Sequence, residues 1–223
     1  MNRPTDLASR INRWVVGVTT TIMGLELIFV VVDQQWLNAL LVLAIIILVL
    51  GPTVLGHRLP VVIPAEFQVL AVAFVFAALF LGEVRSYYDR IWWWDIALHT
   101  SSGLLLGLMG FLLVYILNEN ERADVHMRPR FVAFFAFLFA VAVGATWEIF
   151  EFSMDQLFGT NMQKSMFGDD SGLTDTMWDL IVDSVGALVI SCFGWWYMHR
   201  KVRSFIEIWI RKFIDRNPGL FNQ

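Results

Sequence analysis

Six apolar stretches, each near the length of a bilayer crossing, leave this chain few folds to choose from. They are Trp14–Val32, Leu37–Leu55, Phe67–Gly82, Ile96–Leu117, Phe131–Phe150 and Leu180–Met198. A helix crossing the hydrocarbon core needs roughly 20 such residues. Backbone groups in lipid must also be satisfied within the segment, which favours helices. The third stretch is short, and Ala65 and Glu66 extend it. The chain is 57% hydrophobic with a mean hydropathy of +0.62, above the range of soluble domains. The expected fold is therefore all-α: a polytopic membrane protein of six transmembrane helices with a C-terminal amphipathic helix. The polar connections are short, the loop Gly159–Thr174 included, and too short for a domain of their own. The reading assigns 1–198 to a six-helix transmembrane domain and 199–223 to a cytoplasmic, amphipathic, basic tail.

The first apolar stretch is longer than a signal-peptide core, and no small-x-small site follows it at Val31-Val32-Asp33-Gln34. It reads as a retained helix. Cys192 is the only cysteine, which excludes an intrachain disulfide and a thiolate metal cluster; it reads as inert packing in an apolar helix. No Gly-rich nucleotide-binding motif is present. The expected partners are the bilayer and a lipid-linked substrate, with neither nucleic acid nor nucleotide.

Lys and Arg gather on the cytoplasmic side of membrane proteins. Six helices put both termini on one side. That side holds Arg3, Arg10, Arg13, Arg58, Arg122, Arg128, Arg130 and the basic run from Arg200 to Arg216, against only Arg85, Arg90 and Lys164 on the other. Both termini are therefore expected in the cytoplasm. Trp14, Trp36, Trp92–Trp94 and Trp195–Trp196 fall at helix ends, as interfacial anchors do. Arg200–Arg216 mixes basic residues with Phe205, Ile206, Trp209 and Phe213, the pattern of a helix lying on an anionic surface. The loop Gly56–Pro64, with His57, reads as interfacial.

Within the apolar stretches lies a ladder of ionisable groups. Asp95 and His99 stand at i, i+4; Glu148, Glu151 and Asp155 at i, i+3, i+7; Asp175, Asp179 and Asp183 at i, i+4, i+8. Each set shares one helix face. At 1.5 Å per residue, His99, Glu148, Glu151 and Asp183 all fall roughly 10–15 Å in from the outer helix ends. Gly103 and Gly107 continue the His99 stripe and permit a close helix approach. Glu26 lies roughly 9 Å from the outer end of the first helix, within reach of the same depth.

Charged groups in hydrocarbon are costly, and their default reading is functional. Carboxylates sharing a site raise one another's pKa unless a cation lies among them. Asp and Glu with one imidazole suit Mg²⁺, Mn²⁺, Ca²⁺ or Zn²⁺. The expected metal ligands are His99, Glu148, Glu151, Asp179 and Asp183, with Asp95 orienting the imidazole. Asp95, Glu148 and Asp179 are the expected catalytic groups. Asp155 and Asp175, at helix ends, read first as interfacial or capping residues. For the buried members, the structural alternative is a hydrogen-bond network that holds helices together. The loop Gly159–Thr174 joins two acidic helix ends and reads as a connection or a lid, with Lys164 available to an anionic group. Ser101, Ser102 and Ser184 read as packing residues.

The segments WWWDIALHTSSGLLLG, TWEIFEFSMDQ and DTMWDLIVDSVGAL together resemble the YjdF-like family of bacterial inner-membrane proteins. The shared pattern falls on Asp95, His99, Trp147, Glu148, Glu151, Asp175, Thr176, Asp179, Leu180, Asp183 and Gly186. The resemblance implies a bacterial inner-membrane protein without an established activity. More distantly the chain is similar to VanZ-like proteins, a group linked to glycopeptide-antibiotic resistance and the cell envelope, although it carries many more acidic residues.

The functional expectation is a divalent-metal-dependent hydrolase or transferase acting on a lipid or lipid-linked phosphate, its site facing the extracytoplasmic side. The alternatives are a proton- or cation-coupled transporter and a non-catalytic envelope factor.

Overall fold

The computed structural model describes residues 7–55, 62–119, 127–200 and 212–217. Every long element in it is a helix: α1 Leu7–Val32, α2 Trp36–Leu55, α3 Ala65–Val75, the short α4 Tyr87–Arg90, α5 Trp94–Glu119, α6 Pro129–Phe158 and α7 Leu173–Arg200. A π-helical stretch, Phe76–Val84, carries α3 onward without a break. Among the described residues, six spans are long and apolar enough to cross a membrane. Large apolar side chains such as Phe29, Leu37, Phe134, Ile149 and Val189 lie exposed along them. So much apolar surface would be a liability in water and is the expected exterior in lipid.

The helices begin and end where local chemistry dictates. Pro129 opens α6, where its missing N–H costs nothing. Gly159 closes α6 in the left-handed region at φ 64°, which glycine adopts without strain. The helix continues through Pro52 to Leu55, so Gly51-Pro52 does not interrupt α2.

By internal packing the chain forms two compact units, Met1–Trp94 with Phe205–Gln223, and Asp95–Ser204. In the first, α1, α2 and α3 bury Met23, Val42, Ile45, Val49, Val72 and Phe80 against one another. Asn12 Nδ2 donates to Gln68 Oε1 at 2.7 Å. Glu26 pairs with Arg85 at 2.9 Å. The helical turn 212–216 is tied to this unit through Lys212 to Glu66 and through Asn217, whose Oδ1 accepts from Val62 N at 2.6 Å. The rest of the expected tail helix, and His57 with most of its loop, lie outside the described residues.

In the second unit, α5, α6 and α7 pack through small residues. A Cβ on Gly103 would strike the Asp183 carbonyl, and one on Gly186 would strike the Thr100 carbonyl. The two backbones are thus in direct contact, α5 on α7. A Cβ on Gly110 would lie 2.8 Å from Ala136 Cα, so α5 also packs closely on α6. Close approach by small residues is how helices associate where lipid removes the hydrophobic drive. Phe111, Val114, Val132 and Ala136 complete the core at the far end of this unit.

Candidate functional site

The ladder residues lie on three helices of one unit: Asp95 and His99 on α5, Glu148, Glu151 and Asp155 on α6, Asp175, Asp179 and Asp183 on α7. His99 is the centre. Its Nδ1 lies 3.2 Å from Asp183 Oδ2 and 3.9 Å from Glu148 Oε1. Its Nε2 lies 3.6 Å from Asp95 Oδ1 and 3.8 Å from Asp179 Oδ2. Each ring nitrogen therefore faces two carboxylates. Asp95, His99 and Asp179 each offer a donor atom, and these atoms all lie within 4.8 Å of one another.

The cluster is buried. Asp179 is 1% exposed, Asp183 3% and Glu148 4%. Both carboxylate oxygens of Glu148 and both of Asp179 make no hydrogen bond among the described residues. Unpaired buried carboxylate oxygens are costly, so four at one place are informative.

The supporting groups are visible around them. The Ser102 hydroxyl lies against Asp183 Oδ1 and is 2.8 Å from the His99 carbonyl, and its one proton serves one acceptor at a time. Gly144 leaves room for Asp183: a Cβ there would stand 2.7 Å from Oδ2. Trp147 Nε1 donates to Glu151 Oε1 at 2.8 Å.

Asp155 and Asp175 do different work. Asp155 accepts from Thr160 Oγ1 at 2.6 Å, Met162 N at 2.8 Å and Gln163 N at 2.9 Å. Asp175 accepts from Lys164 N at 2.7 Å, and Gln163 Nε2 donates to Thr176 Oγ1 at 2.7 Å. The loop is thereby strapped to the ends of both helices. Lys164 Nζ donates to the Asn161 carbonyl at 2.6 Å. Ser102, Trp147 and Gly144 support the cluster although none is among the expected ligands or catalytic groups. Ser102 follows His99 by three residues, which is the signal that could have found it.

Residues 13–200 match the family model described as Predicted membrane protein (DUF2238). The chain belongs to this family. The DUF2238 match includes five spans whole and the first from residue 13 onward, and it agrees with the YjdF-like resemblance of an uncharacterised membrane family. An uncharacterised protein of Thermotoga maritima is 29% identical over 130 residues, covering 58% of this chain and 62% of that protein. The match thus spans less than two thirds of the relative's length. No solved structure matches the chain.

Proposed function

We propose that this DUF2238 protein holds a divalent cation within the membrane span and uses it to hydrolyse or transfer a lipid or lipid-linked phosphate. The observation that carries the reading is a buried imidazole set among buried carboxylates, two of which, Glu148 and Asp179, make no hydrogen bond among the described residues. Donor atoms around a divalent ion at 2.0–2.4 Å lie about 3–4 Å apart. The 3.6 Å and 3.8 Å separations from His99 Nε2 to Asp95 and Asp179 fit that spacing.

These distances favour His99, Asp95 and Asp179 as the first ligands. We assign the imidazole proton to Nδ1, donated to Asp183 at 3.2 Å. Asp183, expected as a ligand and itself held by Ser102, then takes the orienting role, and Asp95, expected in that role, becomes a ligand. Glu148 or Glu151 completes the ligand set. The ion would supply charge stabilisation at a phosphoryl oxygen and a water acidic enough to attack near neutral pH. Glu148, buried beside His99 at 3.9 Å and without a hydrogen bond among the described residues, is the group to accept that water's proton. The excess of basic residues on the side of both termini supports cytoplasmic termini in a bacterial inner membrane, with the acidic helix ends facing outward.

A panel of lipid-linked mono- and diphosphates in mixed micelles tests the reading. Phosphate release that needs a divalent ion and disappears in Glu148→Gln supports it. Cation flux in proteoliposomes that disappears in Asp179→Asn, with no release from any substrate, would instead support a carrier.

A further inference from the structure

At the other end of α6 and α7 lies a groove of about 440 Å³, within the range of pockets that hold small ligands. It is lined by Arg130, Phe134 and Phe137 of α6 and by Leu188, Ser191 and Cys192 of α7. Phe137 and Glu148 are eleven positions apart, roughly 16 Å along the helix, so this groove is separate from the acidic site.

Its lining is graded along its length. Arg130 and Trp195 lie at the end nearest the α6 N-terminus, and Phe137 and Leu188 lie roughly 10 Å deeper. Ser191 stands between these levels. It is 3% exposed, and its hydroxyl makes no hydrogen bond among the described residues. Serine and threonine hydroxyls in apolar helices ordinarily return to a carbonyl one turn back, as Thr100, Ser101, Thr146 and Ser153 do here. A hydroxyl left unpaired in the wall of a groove is free to turn toward an acceptor that enters the groove.

We propose that this groove binds an anionic phospholipid. Its phosphate meets the Arg130 guanidinium, an ester carbonyl accepts from Ser191, and one acyl chain lies along Phe134, Phe137 and Leu188. The order cation, hydroxyl donor, apolar wall is the order of phosphate, ester and chain in a phospholipid. Basic residues at helix ends are a recurring means of holding acidic headgroups. The positive charge at the mouth selects an anionic over a zwitterionic lipid.

Cys192 lies in the groove, is exposed, and is the only cysteine, so it reports occupancy directly. The test follows maleimide modification of Cys192 in the full-length protein, in micelles doped with phosphatidylglycerol or phosphatidylcholine. Native mass spectrometry counts retained lipid in parallel. Phosphatidylglycerol is expected to slow modification several-fold and to stay bound, phosphatidylcholine to do neither, and Arg130→Gln to lose both effects at an unchanged melting temperature. Equal protection by the two lipids, protection that survives Arg130→Gln, or no protection by either would overturn the proposal.

Discussion

His99 has four carboxylates around it, and the identity of each neighbour decides what a substitution does. Asp183 is held by Ser102 on one side and by the space over Gly144 on the other. Gly144→Ala should push the Asp183 carboxylate off Nδ1 and destabilise the protein by about 1–3 kcal/mol, as overpacking does. Thermal melts in detergent check the stability loss, and metal affinity should fall with it. Ser102→Ala removes the hydroxyl without adding volume, so it should weaken metal binding on the order of tenfold, as outer-shell changes do, with a smaller change in melting temperature. An unchanged affinity in Ser102→Ala would separate Asp183 from the site. The residue types were legible from spacing alone, because i, i+4 and i, i+3 repeats put Asp95 with His99, and Glu148 with Glu151, on single faces. The partition between the two ring nitrogens was not legible. It depends on helix rotation and on which side each neighbour approaches, and neither is written in spacing.

At the scale of elements, the strap over α6 and α7 is the feature with consequences. Asp155 anchors it with three acceptor contacts and Asp175 with one. Asp155→Ala should free the segment 159–172 and raise its hydrogen exchange and protease sensitivity, while α6 and α7 stay protected. Within the same loop, Asp169 accepts from Ser171 N and from both Thr174 N and Oγ1. Hydrogen bonding by Ser171 and then Thr174 holds its carboxyl below the usual carboxylate range. A depressed folded-state pKa gives a contribution present above the unfolded value and lost as pH falls through the folded one. Loop order should therefore persist from neutral pH through mild acid and decline only below the ordinary aspartate range, which exchange measured against pH would reveal. The helix ends at Phe158 and Leu173 were readable from Gly159 and the polar run that follows. The π-helical continuation Phe76–Val84 was not readable. A Cβ on Gly82 would overlap the Tyr88 ring, so that local fit depends on a contact invisible to periodicity.

For the whole molecule, the six spans were legible because length and hydropathy determine them, and the family match over 13–200 reaches every one. The division into two packing units was not, because it depends on which faces meet. Glu26 shows the difference: depth alone offered it to the acidic cluster, and in its own unit it pairs with Arg85. Topology is a prediction at this scale. Reporter fusions at either terminus should be active only in the cytoplasm, and a fusion in 159–172 only outside. An outward-facing terminus would invert the proposed sidedness of the site. Whether the His99 cluster holds a divalent ion is measured directly by metal analysis of mildly purified wild type, Glu148→Gln and Asp179→Asn. Wild type should carry a stoichiometric divalent ion, lost in Asp179→Asn and weakened in Glu148→Gln. Wild type without bound metal, and without a thermal shift on adding Mg²⁺, Mn²⁺, Ca²⁺ or Zn²⁺, would contradict it and leave proton sharing among the carboxylates as the account of the cluster.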